Sequence, residues 1–162
     1  MRIRDATPAD LPAIIPIFRA IVASGETYAY PENLDDQAIA DLWLEPAPGR
    51  CIVAVTDTGL IAGTAKMGPN RPGRGAHIAT ASFMVAPTAQ GQGIGRALGT
   101  EALLWAREQH FQGMQFNAVV ATNTAAIHLW QALGFTIMTT IPAAFEHPQH
   151  GRVGLHIMYQ PL

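Results

Sequence analysis

The stretch from Phe83 to Arg96 constrains this chain more than any other. Phe83-Met84-Val85 reads as the apolar end of a strand, which breaks at Ala86-Pro87. Thr88-Ala89-Gln90-Gly91-Gln92-Gly93 is a glycine-rich turn, and from Ile94 onward Leu98, Ala102 and Trp105 recur at helical spacing. A strand, a glycine turn and a helix start together make an anion site. The first N–H groups of a helix have no internal partner, and the macrodipole adds roughly half a positive charge there. Glycines let a phosphate approach those amides without a Cβ in the way.

Two familiar phosphate loops fail on their own residues. A P-loop needs Lys and then Ser or Thr after its last glycine, and here Gly95 is followed by Arg96 and Ala97. The dinucleotide fingerprint G-x-G-x-x-G needs a third glycine where this chain has Arg96 or Leu98. What fits is Q-x-x-G-x-G at Gln90, Gly93 and Gly95, with a basic residue next. Alone, it leaves open a glycine-rich turn that binds nothing.

Asn123-Thr124-Ala125-Ala126-Ile127-His128-Leu129-Trp130-Gln131-Ala132-Leu133-Gly134-Phe135 narrows the choice. Asn123 follows an apolar strand, where its side chain caps the next helix or bonds a polar ligand. Ala126, Ile127 and Trp130 follow at helical spacing, Gly134 ends the helix, and Phe135 opens another strand. The two stretches, in this order, resemble the GCN5-related N-acetyltransferase (GNAT) superfamily. The resemblance covers nearly the whole chain.

That resemblance implies an α/β (α+β) fold over residues 1–162 as one domain. Its central sheet is mixed and mostly antiparallel, has helices on both faces, and carries two central parallel strands that splay apart. It implies acetyl-CoA as co-substrate, no metal, and transfer of the acetyl group to an amine. The pantetheine is expected along the backbone of Phe83, Met84 and Val85. The pyrophosphate is expected on the turn and helix start, from Gln90 through Gly91, Gln92, Gly93, Ile94 and Gly95 to Arg96. Asn123, Ala126 and Trp130 border the same cofactor.

The chain also departs from the family's commonest pattern. Many members carry Tyr at the position of Trp130, where a phenol can protonate the departing thiolate. An indole N–H only donates and is no acid near neutral pH. The strand before Asn123 has no Asp or Glu, so a base must come from elsewhere: Glu26, His77, or a water held by Thr80 or Asn117. Thr80, Asn117 and Asn123 are the polar residues expected at the reacting end. Lys66 to Asn70, His77, Phe116-Asn117 and Ala121-Thr122-Asn123 resemble acetyltransferases acting on toxic proline analogues; the alternative subgroup is the phosphinothricin-like amino-acid N-acetyltransferases. These imply a small amino or imino acid as acceptor. The alternatives are a peptide N-acetyltransferase and a non-catalytic acyl-CoA sensor.

Composition excludes other classes. The 162 residues carry a formal net charge of −2 and a single lysine, Lys66, which argues against a nucleic-acid surface. No apolar run approaches the roughly 18 residues of a membrane span. The lone Cys51 rules out an internal disulfide and fits a reducing cytoplasm; it reads as a small core residue. A small-molecule amine and, in a homodimer, a second copy of the chain are the expected partners.

The remaining segments read in order. Residues 2–5 form a strand, and Thr7 caps a helix reaching Ser24-Gly25, irregular because of Pro12 and Pro16. Glu26 to Glu32, with Tyr28 and Tyr30, is a loop that could wall a small polar substrate. Asp35 to Leu44 is a short helix. A hairpin spans Asp57-Thr58-Gly59, and Arg71 and Arg74 read as solvated loop charges. Strands are expected at 135–141 and 152–159 with a loop between them. Asn117 reads as a buried strand residue in need of partners.

Overall fold

The computed structural model describes residues 1–162 and has the expected order of elements. These are β1 (Arg2–Asp5), α1 (Leu11–Ser24), α2 (Asp36–Trp43), β2 (Arg50–Val55), β3 (Ile61–Pro69), β4 (Ile78–Val85), α3 (Ile94–Glu108), β5 (Gly113–Val120), α4 (Thr124–Ala132), β6 (Thr136–His147) and β7 (Gly151–Pro161). One sheet runs β1-β2-β3-β4-β5-β7-β6. Every neighbouring pair is antiparallel except β4 and β5.

Period-two alternation in β2 shows why helices cover both faces. Ile52 and Ala54 enter a core with Leu98, Ala102 and Trp105 of α3 and Ile127 and Trp130 of α4. Cys51, Val53 and Val55 enter a second core with Ile14, Phe18 and Val22 of α1 and Ile39 and Trp43 of α2. Cys51 is therefore a core residue, and burial pushes its thiol up to about 11, so it stays protonated near neutral pH.

The parallel pair is short. β4 and β5 pair only at Ile78↔Gly113 and Ala79↔Met114 and then diverge. Aromatic bulk fills the divergence. The rings of Phe83 and Phe116 meet edge to face at 5.7 Å, and Trp130 packs on them at 4.7 and 4.9 Å. Gly99 on α3 admits that indole: a Cβ there would lie 2.9 Å from Trp130 Cζ3.

Three expectations differ from what is found. The last hairpin is longer, because Pro142-Ala143-Ala144 forms an irregularity between Ile141 and Phe145 and pairing resumes as far as His147↔Gly151. β6 is an edge strand, where a missing proline N–H costs no ladder bond. The helix capped by Thr7 starts as a 3-10 turn, Pro8–Asp10, before α1 runs from Leu11 through Pro16 to Ser24. Asn117 is exposed rather than buried: its amide donates to Asn70 Oδ1 at 2.7 Å, and Gln115 donates to its Oδ1 at 2.8 Å.

Asp10 ties β1 to the start of α1. Arg4 donates to both of its carboxylate oxygens at 2.7 Å, and the Thr7 N–H donates at 2.8 Å. The Arg4 hydrogen bonds, foremost, hold the Asp10 carboxyl well below the usual carboxylate range. A depressed folded pKa gives stability that is present above the unfolded value and lost as pH falls through the folded one. Arg4 keeps much of its side chain in water, so screening limits the gain. Asp10→Asn should cost about 1 kcal/mol at pH 7. Urea melts should show the gap between wild type and variant closing below about pH 4.

Candidate functional site

Where β4 and β5 diverge, a cleft of about 860 Å³ opens. Its floor is β4, its far wall is β5 and the start of α4, and the loop after α1 closes it with Tyr28 and Tyr30. The glycine turn lies at its mouth. Gly91 and Gly93 have φ of +75° and +78°, and a Cβ on either would meet no atom within 4 Å. Glycine here serves the turn and leaves open space in front of the first amides of α3. Gly93 takes the N-cap position, no side chain caps it, and the dipole end is unoccupied by protein groups. Arg96 is exposed beside it and makes no ion pair. Gly95 has another reason. A Cβ there would stand 3.1 Å from Leu129 Cδ2, so this glycine seats α4 against α3.

The residues singled out from sequence fall in distinct places. Thr80, Asn117, Asn123, Ala126 and Trp130 all border the cleft, as do Gln90, Ile94 and the three loop glycines. Gln92 does not; its amide turns towards the Thr88 carbonyl. Asn123 caps α4, its Oδ1 accepting from the Ala126 N–H at 3.2 Å. Trp130 is 7% exposed and locked among aromatic rings. His77 is exposed at the start of β4 and borders no part of the cleft, which removes it as a base.

Alternation along β4 sorts the three expected pantetheine partners. The Phe83 N–H and C=O are both engaged on the side away from β3, by the Tyr28 hydroxyl at 2.9 and 2.8 Å. Met84, one residue on and opposite Thr64, therefore turns its backbone groups to β3. Its side chain is buried against α1 and α2. Phe83 and Val85 keep the edge facing the gap.

Glu26, a base candidate from the sequence, finds its place here, and His147 gains importance only in three dimensions. Glu26 is the one carboxylate on the cleft wall, and it also borders a side pocket of about 210 Å³ with Thr122, Asn123 and His147. His147 is 6% exposed, and its Nδ1 accepts from the Gln149 N–H at 3.2 Å. That bond leaves the ring proton of the neutral form on Nε2. Nothing local in the sequence signals this, because the hairpin tip must fold back over the end of α1. No group of three or more His, Cys, Asp or Glu could hold a metal. No helix is long and apolar enough to cross a membrane.

Comparison with known proteins agrees with this architecture. The model of the acetyltransferase (GNAT) family matches residues 15–135. A GCN5-related N-acetyltransferase from Kribbella flavida superposes with a TM-score of 0.97 at 54% identity, over 99% of this chain and 97% of that one. A ribosomal-protein-alanine N-acetyltransferase from Brucella melitensis gives 0.89 at 31%, over the full length of both. A phosphinothricin acetyltransferase from Sinorhizobium meliloti, solved in complex with AcCoA, gives 0.90 at 26%, over 99% and 88%. The L-amino acid N-acyltransferase MnaT of Escherichia coli is 30% identical over 88% of this chain and 83% of its own. Matches to N-acetyltransferase aca1 of Schizosaccharomyces pombe and to SPT10 of Saccharomyces cerevisiae span only 44% and 12% of those proteins. With three quarters of its length matched by the family model and its splayed strands and glycine loop in place, the chain belongs to the GNAT family of acetyltransferases.

Proposed function

We propose that this protein moves the acetyl group of acetyl-CoA to the amine of a free amino or imino acid. The observation that carries this reading is the pairing of one cleft with one small polar side pocket. The cleft has an open helix N-terminus at its mouth and a splayed strand edge along its floor, which suits a pyrophosphate followed by an extended pantetheine. The side pocket offers the Glu26 carboxylate and the His147 ring, one for each end of a zwitterion. MnaT and the phosphinothricin enzyme, each named for a small acceptor, support the same choice.

In this reading Glu26 receives the acceptor's ammonium and takes its proton, since only a neutral amine attacks. The His147 Nε2–H donates to the acceptor's carboxylate. Asn123 and Thr80 orient the amine or a water near the thioester. Asn117 holds the loop at Asn70 rather than the substrate. The thiolate leaves without help from Trp130. The exposed Met138 and Ile141 on the edge strand β6 favour a homodimer as the working form.

The Brucella relative, named for a ribosomal protein, favours a second reading with a peptide acceptor. The two readings part on which amines are turned over. Glu26→Gln should lower kcat/KM for a free amino acid about a hundredfold or more, because it removes both the charged contact and the base. It should leave acetyl-CoA affinity nearly unchanged. Coupled detection of released CoA thiol, across amino acids and short peptides, checks both statements. Efficient turnover of peptides with none of free amino acids would replace the first reading with the second.

A further inference from the structure

Tyr28 sits in the loop after α1, yet its hydroxyl is bonded to β4. The Phe83 N–H donates to Tyr28 Oη at 2.9 Å, and the same hydroxyl donates back to the Phe83 carbonyl at 2.8 Å. Phe83 lies past the last β4–β5 pair, so these are edge groups facing the gap. The phenol oxygen therefore stands where the carbonyl oxygen of an extended ligand would accept from this amide. Its ring is held from behind. Tyr28 stacks on Tyr30 at 5.5 Å, and Tyr30 stacks on Phe18 of α1 at 5.4 Å. Burial of the hydroxyl end pushes the phenol's pKa up, so it keeps its proton across the working range. The cleft thus has an O–H donor at the strand edge, while the indole at position 130 is packed among rings.

Given acetyl transfer as proposed above, we infer that Tyr28 is a catalytic residue whose O–H, with the Phe83 N–H, stabilises the oxyanion of the reacting thioester. On binding, the thioester oxygen takes the Phe83 N–H from the phenol, and the phenol turns its own O–H to that oxygen. The amine nitrogen then forms the C–N bond, and the carbonyl π pair moves onto the oxygen between the two donors. When that pair returns, the C–S bond breaks and its electrons leave with the sulfur. The amine's proton goes to Glu26 or water, and the phenol stays protonated throughout.

Tyr28→Phe keeps the stacked ring and deletes the hydroxyl. Its kcat should fall about a hundredfold, the scale of one lost oxyanion donor. Calorimetry should show acetyl-CoA affinity unchanged or tighter, because the Phe83 N–H is no longer occupied. A merely structural tyrosine predicts the reverse: weaker acetyl-CoA binding or a lower Tm, and kcat within about threefold of wild type. That result would overturn the proposal. Slow hydrolysis of acetyl-CoA passes through the same oxyanion and needs no acceptor. A hundredfold loss there supports Tyr28 even where the acceptor class is wrong, and an unchanged rate refutes it. Should Tyr28→Phe fail to fold, 3,5-difluorotyrosine at position 28 keeps ring and hydroxyl while acidifying the phenol. The alkaline limb of kcat should then move to lower pH, and an unmoved profile would sink the assignment.

Discussion

Gly93→Asp should weaken acetyl-CoA binding by about a hundredfold to a thousandfold. Two terms combine. A carboxylate beside the first amides of α3 repels a pyrophosphate, and at about 4 Å and an effective dielectric near 20 like charges cost about 4 kcal/mol. The side chain also fills the space that the glycine leaves. The fold itself should survive. Gly93 has φ +78°, and a Cβ there meets nothing within 4 Å, so the intrinsic cost is backbone strain of about 1–2 kcal/mol. Gly93→Asn separates charge from size, since asparagine tolerates this backbone region well; it should retain more affinity than the aspartate. Calorimetric titration of both folded variants reads the difference. Unchanged affinity in Gly93→Asp would remove the loop from the acetyl-CoA site.

Trp130→Ala should be the most destabilising single change near the site, by about 3–5 kcal/mol or roughly 6–20 °C in Tm. The indole touches Phe83, Phe116 and Phe135 and fills the space that Gly99 leaves on α3. Its removal opens a cavity between the two strands whose divergence forms the cleft. Trp130→Phe restores much of that volume and should keep most of the turnover, because the indole supplies packing and no proton. Thermal melts and steady-state rates on both variants test this together. If Trp130→Phe lost turnover by more than about a thousandfold with Tm and acetyl-CoA affinity intact, the indole would have a chemical role.

What could be read from sequence here was whatever rests on local constraint. The loop from Gln90 to Arg96 shows itself because positive φ and a helix start demand glycines at fixed offsets. The Asn123 cap and the end at Gly134 show themselves for similar reasons. The hairpin across Asp57-Thr58-Gly59 shows itself through its turn residues. Long-range consequences were hidden. Tyr28 and Phe83 are 55 residues apart, and neither advertises the other. Glu26 and His147 border one side pocket only because the β6–β7 hairpin continues past Pro142 instead of ending there. Asn117 looked buried because it interrupts an apolar strand, but the strand leaves its neighbour at that point and exposes it. Gly95 borders the cleft as the loop pattern expects, and its second task, making room for Leu129, was not legible.

The central claim is acetyl transfer to a small amine, and one measurement addresses it most directly. Purified protein, acetyl-CoA and a panel of free amino and imino acids, with short peptides alongside, are followed by mass spectrometry of the products. The account predicts N-acetylated amino or imino acids appearing in step with free CoA, at rates above those for the peptides. Acetylated peptides with no acetylated free acid, or acetyl-CoA that binds but is never consumed, would contradict it.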